Sequence, residues 1–297
     1  MNLIGKYMNG NVLTKIFSDG TLVRCTKDDE FKPAFASNID IKICNRCDMN
    51  CPMCHEGSVP DGELGDILNE NFINTLHPYQ EVAIGGGNVL EHPDLIPFLK
   101  KLKSLNVIAN ITLHQKHFQD NIELIENLAD NKLIYGIGVS LSSANEHFIN
   151  DIKRFPNAVI HVINGMFRPE DVEILKNHDL KLLILGYKML RRGKSLFDAN
   201  AIEILDRQEW LSNIIPDLLK DFKVVSFGNL AIEQLNVGRY LTQEEWDLFY
   251  AGDDGSFTFY IDMVERKFAK SSTEPLNRRF DLMGSIDEMF SKIQKEV

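Results

Sequence analysis

The sequence lacks any long apolar run. No stretch approaches the roughly 18 apolar residues of a membrane-spanning helix, and the opening segment MNLIGKYMNGNVLTKIF lacks the continuous apolar core of a secretory signal peptide. We therefore expect a cytoplasmic protein with no membrane partner. Disulfides are rare in that compartment, so a close group of cysteines is expected to bind metal or to carry out redox chemistry.

An excess of positive charge is also missing. The chain has 32 Lys and Arg against 43 Asp and Glu, which gives a formal net charge of −11. Because a basic face is the usual footprint of non-specific nucleic-acid binding, that class of function is not expected. A nucleotide or a peptide remains acceptable as a substrate. With 44% hydrophobic residues in 297, the chain can build a full globular core.

Turn signals and apolar periodicity predict the fold. The dipeptides Asn9-Gly10 and Asp19-Gly20 lie between β-rich stretches, which predicts a small antiparallel β-element at the N-terminus. From residue 39 onward, short apolar runs alternate with helix-period segments; examples are a strand at 38–44 and a helix at 64–77. Repeated βα units joined by right-handed crossovers form a parallel sheet. Six or seven such units can curve into a partial or complete barrel.

Three parts follow from this organisation. We predict an N-terminal β-hairpin element at 1–38, a barrel core at 39–231, and a C-terminal α/β extension at 232–297 that closes the barrel. The extension is expected to contain a hairpin in FTFYIDMVERKF. Its last helix, in SIDEMFSKIQKEV, is expected to begin after Ser285 as the N-cap residue.

Four of the five cysteines lie in one segment, CNRCDMNCPMCHEG. The segment follows a predicted strand, and loops at the carboxyl ends of parallel strands form the active sites of α/β proteins. Cys47, Cys51 and Cys54 are separated by three and by two residues, so three thiolates share one short loop. Three ligands do not complete a tetrahedral structural zinc site. They can hold three irons of a [4Fe–4S] cluster and leave the fourth iron open.

A second interpretation uses all four cysteines of this segment. Cys44 could join Cys47, Cys51 and Cys54 to hold zinc in a non-catalytic interaction module. Usual zinc modules separate their two cysteine pairs by twelve or more residues, and here the gap is three. We therefore interpret Cys44 as a small buried hydrophobe at the end of a strand, and Cys25 as a lone buried thiol.

The cysteine spacing resembles that of a known family. A Cx3Cx2C pattern in the loop after the first strand is typical of the radical S-adenosylmethionine (SAM) enzymes, and AIGGGNVLEHPDL resembles the glycine-rich segment that ends the family's second strand. The likeness covers roughly residues 39 to 190. The whole chain resembles a functionally unassigned, partly phage-borne group of this superfamily. The resemblance implies a (β/α)6-type partial TIM barrel.

The resemblance also implies the cofactors. Cys47, Cys51 and Cys54 would ligate one [4Fe–4S] cluster, and SAM would bind its open iron. One electron would then cleave SAM to methionine and a 5′-deoxyadenosyl radical, which abstracts hydrogen from a substrate. An oxygen-sensitive enzyme and an electron donor such as flavodoxin or ferredoxin are expected. The substrate stays open among peptide, nucleotide and small metabolite. Since no cysteine follows Cys54, we expect one cluster only.

The resemblance places SAM contacts at the strand ends. The backbone of Gly85–Gly87 is expected to meet the SAM amino group, although a tight turn alone would also require glycine. Asn88 stands where the family often has Glu, and it offers an uncharged acceptor. Met53 stands where an aromatic residue commonly packs near the adenine; plain loop packing is the alternative. The remaining predicted SAM contacts at strand ends are Ser140, Ser142, Asn164 and Lys188.

Four further polar residues are candidate substrate contacts: His55, Glu56, His114 and Asn229. His55 and Glu56 directly follow the last cysteine, so they are either a solvated loop pair or a contact to cluster, SAM or substrate. A lone histidine such as His114 is more often structural. Lys188 could bind a carboxylate or another anionic group. Its neighbours Arg191 and Arg192 are interpreted as solvated surface, and no residue is assigned a catalytic role.

Overall fold

The N-terminal segment forms a separate antiparallel sheet. The computed structural model describes residues 2–296; Met1 and Val297, which end two of the predicted ranges, lie outside the described residues. The sheet contains β1 (Leu3–Asn9), β2 (Val12–Phe17) and β3 (Leu22–Cys25) in that order. Gly10 and Gly20 have φ values of +60° and +88° in the two turns, where glycine adopts the left-handed region without steric cost.

A large sheet carries the rest of the chain. Its ten strands lie in the order β10-β9-β8-β7-β6-β5-β4-β11-β12-β13. Every pair from β10 to β11 is parallel, and the last two pairs are antiparallel. The strands are β4 (Asn38–Cys44), β5 (Glu81–Gly86), β6 (Ile108–His114), β7 (Gly136–Ser140), β8 (Ala158–Ile163), β9 (Lys181–Leu185), β10 (Val224–Phe227), β11 (Thr258–Asp262), β12 (Lys267–Ala269) and β13 (Phe280–Asp281).

Helices connect the parallel strands. They are α1 (Leu95–Ser104), α2 (Gln115–Asp120), α3 (Ile122–Asp130), α4 (Glu146–Ile152), α5 (Pro169–Leu175), α6 (Arg191–Asp221), α7 (Asn229–Leu235), α8 (Gln243–Phe249) and α9 (Ile286–Gln294), with short 3-10 turns at Asn71–Thr75, Val89–Glu91, Val237–Tyr240 and Leu276–Arg278. The hydroxyl of Ser285 accepts from the Asp287 amide, so the predicted N-cap of the last helix is confirmed. Across residues 2–296, no helix combines the length and the apolar character needed to span a bilayer.

The two faces of the large sheet differ because side chains alternate along each strand. On β4, Ile39, Ile41 and Ile43 are buried in the apolar core, together with residues of the surrounding helices. The opposite face, here called the inner face, carries Asp40 and Lys42. Strand register keeps the residues of one face together across the sheet, so the inner face is continuous from β11 to β10.

Contacts between distant parts of the sheet show that it curves strongly. Asn229, just after β10, donates to the Gly252 carbonyl at 3.3 Å and to the Asp254 carboxylate at 2.8 Å, and both acceptors precede β11. In the strand order β10 and β11 lie seven spacings apart, which is roughly 34 Å in a flat sheet at about 4.8 Å per strand. No ladder between β10 and β13 closes the sheet within residues 2–296.

Two local expectations, a helix at 64–77 and a buried Cys25, differ from the structure. The predicted helix at 64–77 is largely irregular, because Leu64 bridges to Cys44 and the Gly65 amide donates to the Ile43 carbonyl, which ties this segment to the end of β4. Pro93 precedes α1, whose N-cap residue is Asp94. The long helix α6 had no counterpart in the predicted elements. Cys25, expected to be buried, is exposed at the end of an edge strand.

Candidate active site

The cysteine loop, residues 45–58, begins where β4 ends. Its backbone folds back on itself: the Cys54 amide donates to the Cys51 carbonyl at 3.2 Å, and the Gly57 amide donates to the Cys54 carbonyl at 3.3 Å. Asn50 and Gly57 adopt left-handed φ values of +46° and +65°, which asparagine and glycine tolerate best. The three thiols of the Cx3Cx2C pattern are partly exposed on this loop.

The three loop thiols influence one another. Burial raises the pKa of Cys51, and the thiols of Cys54 and Cys47 raise it further by charge repulsion. Burial likewise raises the pKa of Cys47, and Cys54 adds to that rise. The three thiols therefore lie close enough for their charges to interact. A bound metal centre would supply the positive charge that offsets this repulsion and favours the thiolates.

The geometry does not support zinc held by four cysteines. Four thiolates at about 2.3 Å from one zinc must lie about 3.8 Å from each other. Within residues 2–296, one set of three or more His, Cys, Asp or Glu side chains has all its possible metal-binding atoms within 4.8 Å of one another. That set is Cys47, Asp48 and His117, and it includes only one of the four thiols. Cys44 is fully buried in the core, and burial raises its pKa to about 11, as expected for a structural thiol. A [4Fe–4S] cluster binds each thiolate at a different iron, so its ligands spread more widely than those of one ion.

The start of the cysteine loop is fastened to α2. His117 Nε2 lies 2.7 Å from the Asp48 carboxylate, with the histidine buried and the aspartate exposed. The hydrogen bond from His117 holds the pKa of Asp48 below its usual value. Because Asp48 directly follows Cys47, this ion pair fixes the first thiol of the loop against the helix. It also explains why Asp48 and His117 group with Cys47.

The beginning of α6 supports the other side of the loop. Arg192 donates to the Asn50 side chain at 2.9 Å and to the Ser58 carbonyl at 3.0 Å, while Arg191 donates to the Glu56 carbonyl. Gly193 leaves room for this approach, since a Cβ there would lie 3.3 Å from the Met53 carbonyl. The expectation of solvated surface was wrong for Arg192, which is half-buried against the loop, whereas Arg191 is exposed. The sequence around the two arginines did not indicate their contact with the cysteine loop, because this contact joins segments about 135 residues apart.

The glycine-rich segment packs directly on the cysteine loop. The Gly87 amide donates to the Cys44 carbonyl at 2.8 Å, and the Asn88 amide donates to the Arg46 carbonyl at 2.6 Å. A Cβ at Gly86 would lie 2.4 Å from the Cys44 carbonyl oxygen, and one at Gly87 would lie 2.1 Å from that of Arg46. Glycine is therefore required at both positions by close backbone approach.

Two neighbours of this contact have different surroundings. Gly85 faces open space, because a Cβ there would meet no atom within 4 Å. Asn88 is buried, and its side-chain oxygen accepts from the Leu90 amide at 3.3 Å while its amide donates to Glu91 at 3.1 Å. The Asn88 side chain thus caps the 3-10 turn that follows.

A buried charge network lies beneath the cysteine loop; it comprises Lys42, Glu56, Asp262 and Arg279. Lys42 Nζ lies 2.9 Å from Glu56 and 3.1 Å from Asp262, and its side chain is 1% exposed. Arg279 reaches the same Asp262 oxygen at 3.2 Å. Burial alone would raise the pKa of Glu56, but His55 and Lys42 reverse the effect and hold it well below its usual range. Glu56 therefore remains a carboxylate.

His55 and Lys188 extend this network toward β9. His55 Nε2 lies 3.1 Å from Lys188 Nζ and 3.2 Å from Glu56 Oε1, so a neutral ring satisfies one of these contacts at a time. Burial and the charge of Lys188 lower the pKa of His55. Lys188 also donates to the Ser272 hydroxyl at 2.7 Å, and burial lowers its pKa in turn. The cysteine loop, β9 and the C-terminal segment thus meet at one point.

Several predicted site residues are engaged in local structure. The Ser142 hydroxyl is exposed and donates to Gln115 at 3.0 Å. His114 Nδ1 accepts from the Lys116 amide at 3.1 Å and caps α2. The Asn164 side-chain amide donates to Gln234 at 3.1 Å, and its oxygen is buried without a partner. The Ser142 hydroxyl, the His114 Nδ1 atom and the Asn164 amide group are therefore engaged within the fold.

The remaining predicted residues lie at the carboxyl edge of the sheet. Ser140 ends β7, in register between His114 of β6 and His161 of β8. Asn229 begins α7 and is bonded to the segment before β11. The structure brings together the cysteine loop, the glycine segment, His55, Glu56 and Lys188. It does not bring Ser142 into that group.

Sequence patterns missed part of the site. Asp40 and Lys42 interrupt the apolar run NIDIKIC at alternate positions, and this alternation could have marked an inner face that carries charge. Asp262 and Arg279 had no such signal. Their position depends on the parallel pairing of β11 with β4, which joins residues 220 positions apart.

Known proteins resemble this chain in fold and not in sequence. No protein-family model matches the chain, and no curated protein sequence matches it. SuiB of Streptococcus suis bound to S-adenosylmethionine aligns over 87% of this chain and 64% of its own, at 15% identity and a TM-score of 0.53. SuiB bound to its precursor peptide SuiA aligns over 80% and 60%, at 14% identity and a TM-score of 0.50.

These alignments bear on the fold alone. The chain spans less than two thirds of the length of the SuiB chains it matches. SuiB was solved with S-adenosylmethionine bound, and the expected resemblance is confirmed at the level of the fold. The shared architecture is an α/β fold with a large parallel sheet.

Proposed function

We propose that this protein is a radical SAM enzyme that binds one [4Fe–4S] cluster through Cys47, Cys51 and Cys54. One observation carries the proposal: three partly exposed thiols share a loop at the carboxyl end of β4, against which the backbone of a glycine segment packs. The loops at this end of a parallel sheet are where α/β enzymes place their chemistry. The fold similarity to SuiB supports the same function.

The donor set fits such a cluster. Three thiolates leave one iron open, and the loop that carries them is held in place by Asp48 on one side and by Arg191 and Arg192 on the other. Preorganised support of this kind keeps metal ligands in position. When bound together with SAM, the cluster supplies the electron that cleaves SAM and yields a 5′-deoxyadenosyl radical for hydrogen abstraction.

The chain's own residues would bind and orient SAM. The backbone of Gly85, next to the cysteine loop, remains a proposed contact of the SAM amino group. Met53 on the loop and Ser140 at the end of β7 remain proposed contacts, as does the buried ammonium of Lys188 for a carboxylate. The side chains of Asn88, Ser142 and Asn164 are engaged elsewhere, so their part in the proposal is limited to backbone or rearranged contacts.

We also propose a (β/α)6-type partial barrel for the core at 39–231. The curvature derived from Asn229 supports this shape. The N-terminal sheet lies at the amino end of the strands, where Lys181 donates to the Asp19 carbonyl at 3.2 Å and Asn157 to the Ser18 carbonyl at 3.3 Å. The C-terminal extension would cover the side between β10 and β11. The division at 38 and 231 is part of this proposal.

A peptide is one substrate that this proposal includes. SuiB was solved with its precursor peptide bound, and this chain has a similar fold over most of its length. A nucleotide or a small metabolite is also compatible with the site. A flavodoxin or a ferredoxin in the cytoplasm would supply the electron. His55, Glu56, His114 and Asn229 remain proposed substrate contacts, with His55 and Glu56 the nearest to the cysteine loop.

The test is anaerobic SAM cleavage. The protein is reconstituted with iron and sulfide, reduced with dithionite and given SAM, and 5′-deoxyadenosine is measured by mass spectrometry. We expect iron and sulfide in the protein and 5′-deoxyadenosine in the product. Cys51→Ala should lose both, because two thiolates do not hold the cluster firmly.

A matched control uses the exposed cysteine. Cys25→Ala removes a thiol far along the chain from the loop and should leave cluster content and product unchanged. Retention of SAM cleavage in Cys51→Ala would contradict the proposal. A protein that holds one zinc and leaves SAM intact would instead favour the four-cysteine interaction module, in which Cys44 is a ligand.

A further inference from the structure

The inner face of the sheet is hollow near β4 and β5. In a filled barrel, bulky side chains from alternate strands pack the interior in layers. Here the inward positions of β5 are occupied by Glu81, Ala83 and Gly85, and those of β7 by Gly136, Gly138 and Ser140. The ring of His161 covers Gly138, because a Cβ added at Gly138 would lie 2.2 Å from a ring atom. A Cβ added at Gly85 would have no atom within 4 Å. We call the space over Ala83 and Gly85 the hollow.

Asp40 lies at the side of the hollow. In register it sits between Ala83 of β5 and Tyr260 of β11. Water reaches its side chain, which is exposed, yet the surrounding protein raises the pKa of its carboxyl group. A side chain that is accessible and still partly desolvated lies on a concave surface. Within residues 2–296 no group donates a hydrogen bond to this carboxylate, and no cation forms an ion pair with it.

The charges nearest to Asp40 do not neutralise it. Lys188 acts on it at a distance, but that ammonium contacts His55 and Ser272. Asp254, the other charged group that acts on Asp40, is itself a carboxylate. Across the inner face, burial lowers the pKa of His161 to about 4, so its ring is neutral near pH 7. An accessible carboxylate is thus left without a cationic partner in a confined space.

We propose that the hollow binds a cationic group of the substrate, an ammonium or a guanidinium, through an ion pair with Asp40. This inference rests on the proposed function and names the substrate class for the same site. An unpaired, partly desolvated charge is costly, and a ligand cation removes that cost while it forms a charge-assisted hydrogen bond. The small side chain of Ala83 and the glycine at 85 leave the room that such a group needs. A peptide that presents a lysine or arginine side chain has this chemistry.

The test compares two probes that differ in one charge. Nα-acetyl-lysine amide carries an ammonium, and Nα-acetyl-norleucine amide carries an uncharged side chain of similar shape. Each is titrated into the reconstituted protein with SAM present, under anaerobic conditions, and the dissociation constant is measured by ligand-observed NMR. We expect the cationic probe to bind at least about tenfold more tightly, as loss of a charged hydrogen bond implies. Asp40→Asn should abolish that preference and leave the norleucine probe unchanged.

A matched control and a second variant complete the experiment. Asp217→Asn removes an exposed carboxylate on α6, which pairs with Lys220 at the surface, and should leave both dissociation constants unchanged. Ala83→Leu fills the hollow and should weaken both probes. The proposal is overturned if the preference for the cationic probe survives in Asp40→Asn, if wild type shows no preference, or if neither probe binds.

Failure of this inference is separable from failure of the proposed function. The 5′-deoxyadenosine assay needs no probe and reports on SAM cleavage alone. A protein that cleaves SAM but shows no charge preference loses only the assignment of Asp40. A protein that leaves SAM intact loses the enzyme assignment, whatever the probes do.

Discussion

The two faces of β4 show how one short strand serves both the core and the site. Ile39, Ile41 and Ile43 face the core and are at most 1% exposed. Their alternating neighbours Asp40 and Lys42 carry charges on the inner face. Alternation along a strand separates stability from chemistry at a spacing of one residue. A substitution of one of the isoleucines therefore tests the packing of the core, whereas a substitution of Asp40 or Lys42 tests the charges on the inner face.

The inner face itself holds two different environments. Lys42 is covered by the cysteine loop and β11, and two carboxylates pair with it. Asp40, two residues earlier, borders the hollow and has no hydrogen-bond or ion-pair partner among residues 2–296. The single strand β4 thus carries a closed charge network near the cysteine loop and, two residues earlier, an open carboxylate. Three variants separate the contributions of these environments.

The largest effect is expected for Lys42→Met. Removal of the ammonium leaves Glu56 and Asp262 buried with less compensation, and breaking a buried pair typically costs about 3–5 kcal/mol. The free energy of unfolding is measured by urea titration of the cluster-free protein under anaerobic conditions. Lys116→Met is the control, since that lysine is 59% exposed in a surface pair and should change stability by about 0.5 kcal/mol or less. Equal urea midpoints for the two variants would contradict the buried network.

An intermediate effect is expected for the pH dependence that His161 introduces. Burial lowers its folded pKa to about 4, while the unfolded chain titrates near 6.5. Between these values the unfolded state binds a proton that the folded state does not, so the free energy of unfolding falls as the pH falls from 6.5 toward 4. The loss is on the order of 1–3 kcal/mol. Full stability from this group is present above about pH 6.5.

His161→Gln should remove that part of the pH dependence. The measurement is the urea midpoint of both proteins at several pH values between 4 and 7. The difference between wild type and variant should change steadily across this interval. Parallel curves would mean that His161 titrates in the folded protein as it does in water, and that the inner face near β8 is not desolvated.

The smallest effect on stability is expected for Asp40→Asn. The carboxylate has no partner to lose and asparagine removes a partly desolvated charge, so the free energy of unfolding should stay the same or rise by about 0.5 kcal/mol. Its strand neighbour provides the contrast, because Ile41→Ala opens a cavity in the core and should cost about 2–5 kcal/mol. Thermal or urea unfolding of the two variants measures both. A large loss in Asp40→Asn would show that Asp40 supports the fold, which would weaken its assignment as a binding residue.

Sequence patterns predicted the features that depend on neighbouring residues. The βα alternation, the two glycine turns of the N-terminal sheet and the Ser285 cap all arise from local preference, and the structure contains each of them. The helix expected at 64–77 failed for the opposite reason. Its amphipathic pattern is outweighed by backbone pairing with the end of β4, a contact that no local pattern encodes.

The spacing of Cys47, Cys51 and Cys54 and the glycine-rich segment can be read directly from the sequence, because each is a property of a short segment. The side chains that surround them come from distant parts of the chain and follow from the folded arrangement. Arg192, Asp262 and Arg279 reach the site from segments more than 130 residues away, and Asp40 is unpaired because of what the neighbouring strands leave empty. Such positions depend on how distant strands pair and how the sheet curves, and a pattern of neighbouring residues specifies neither of these.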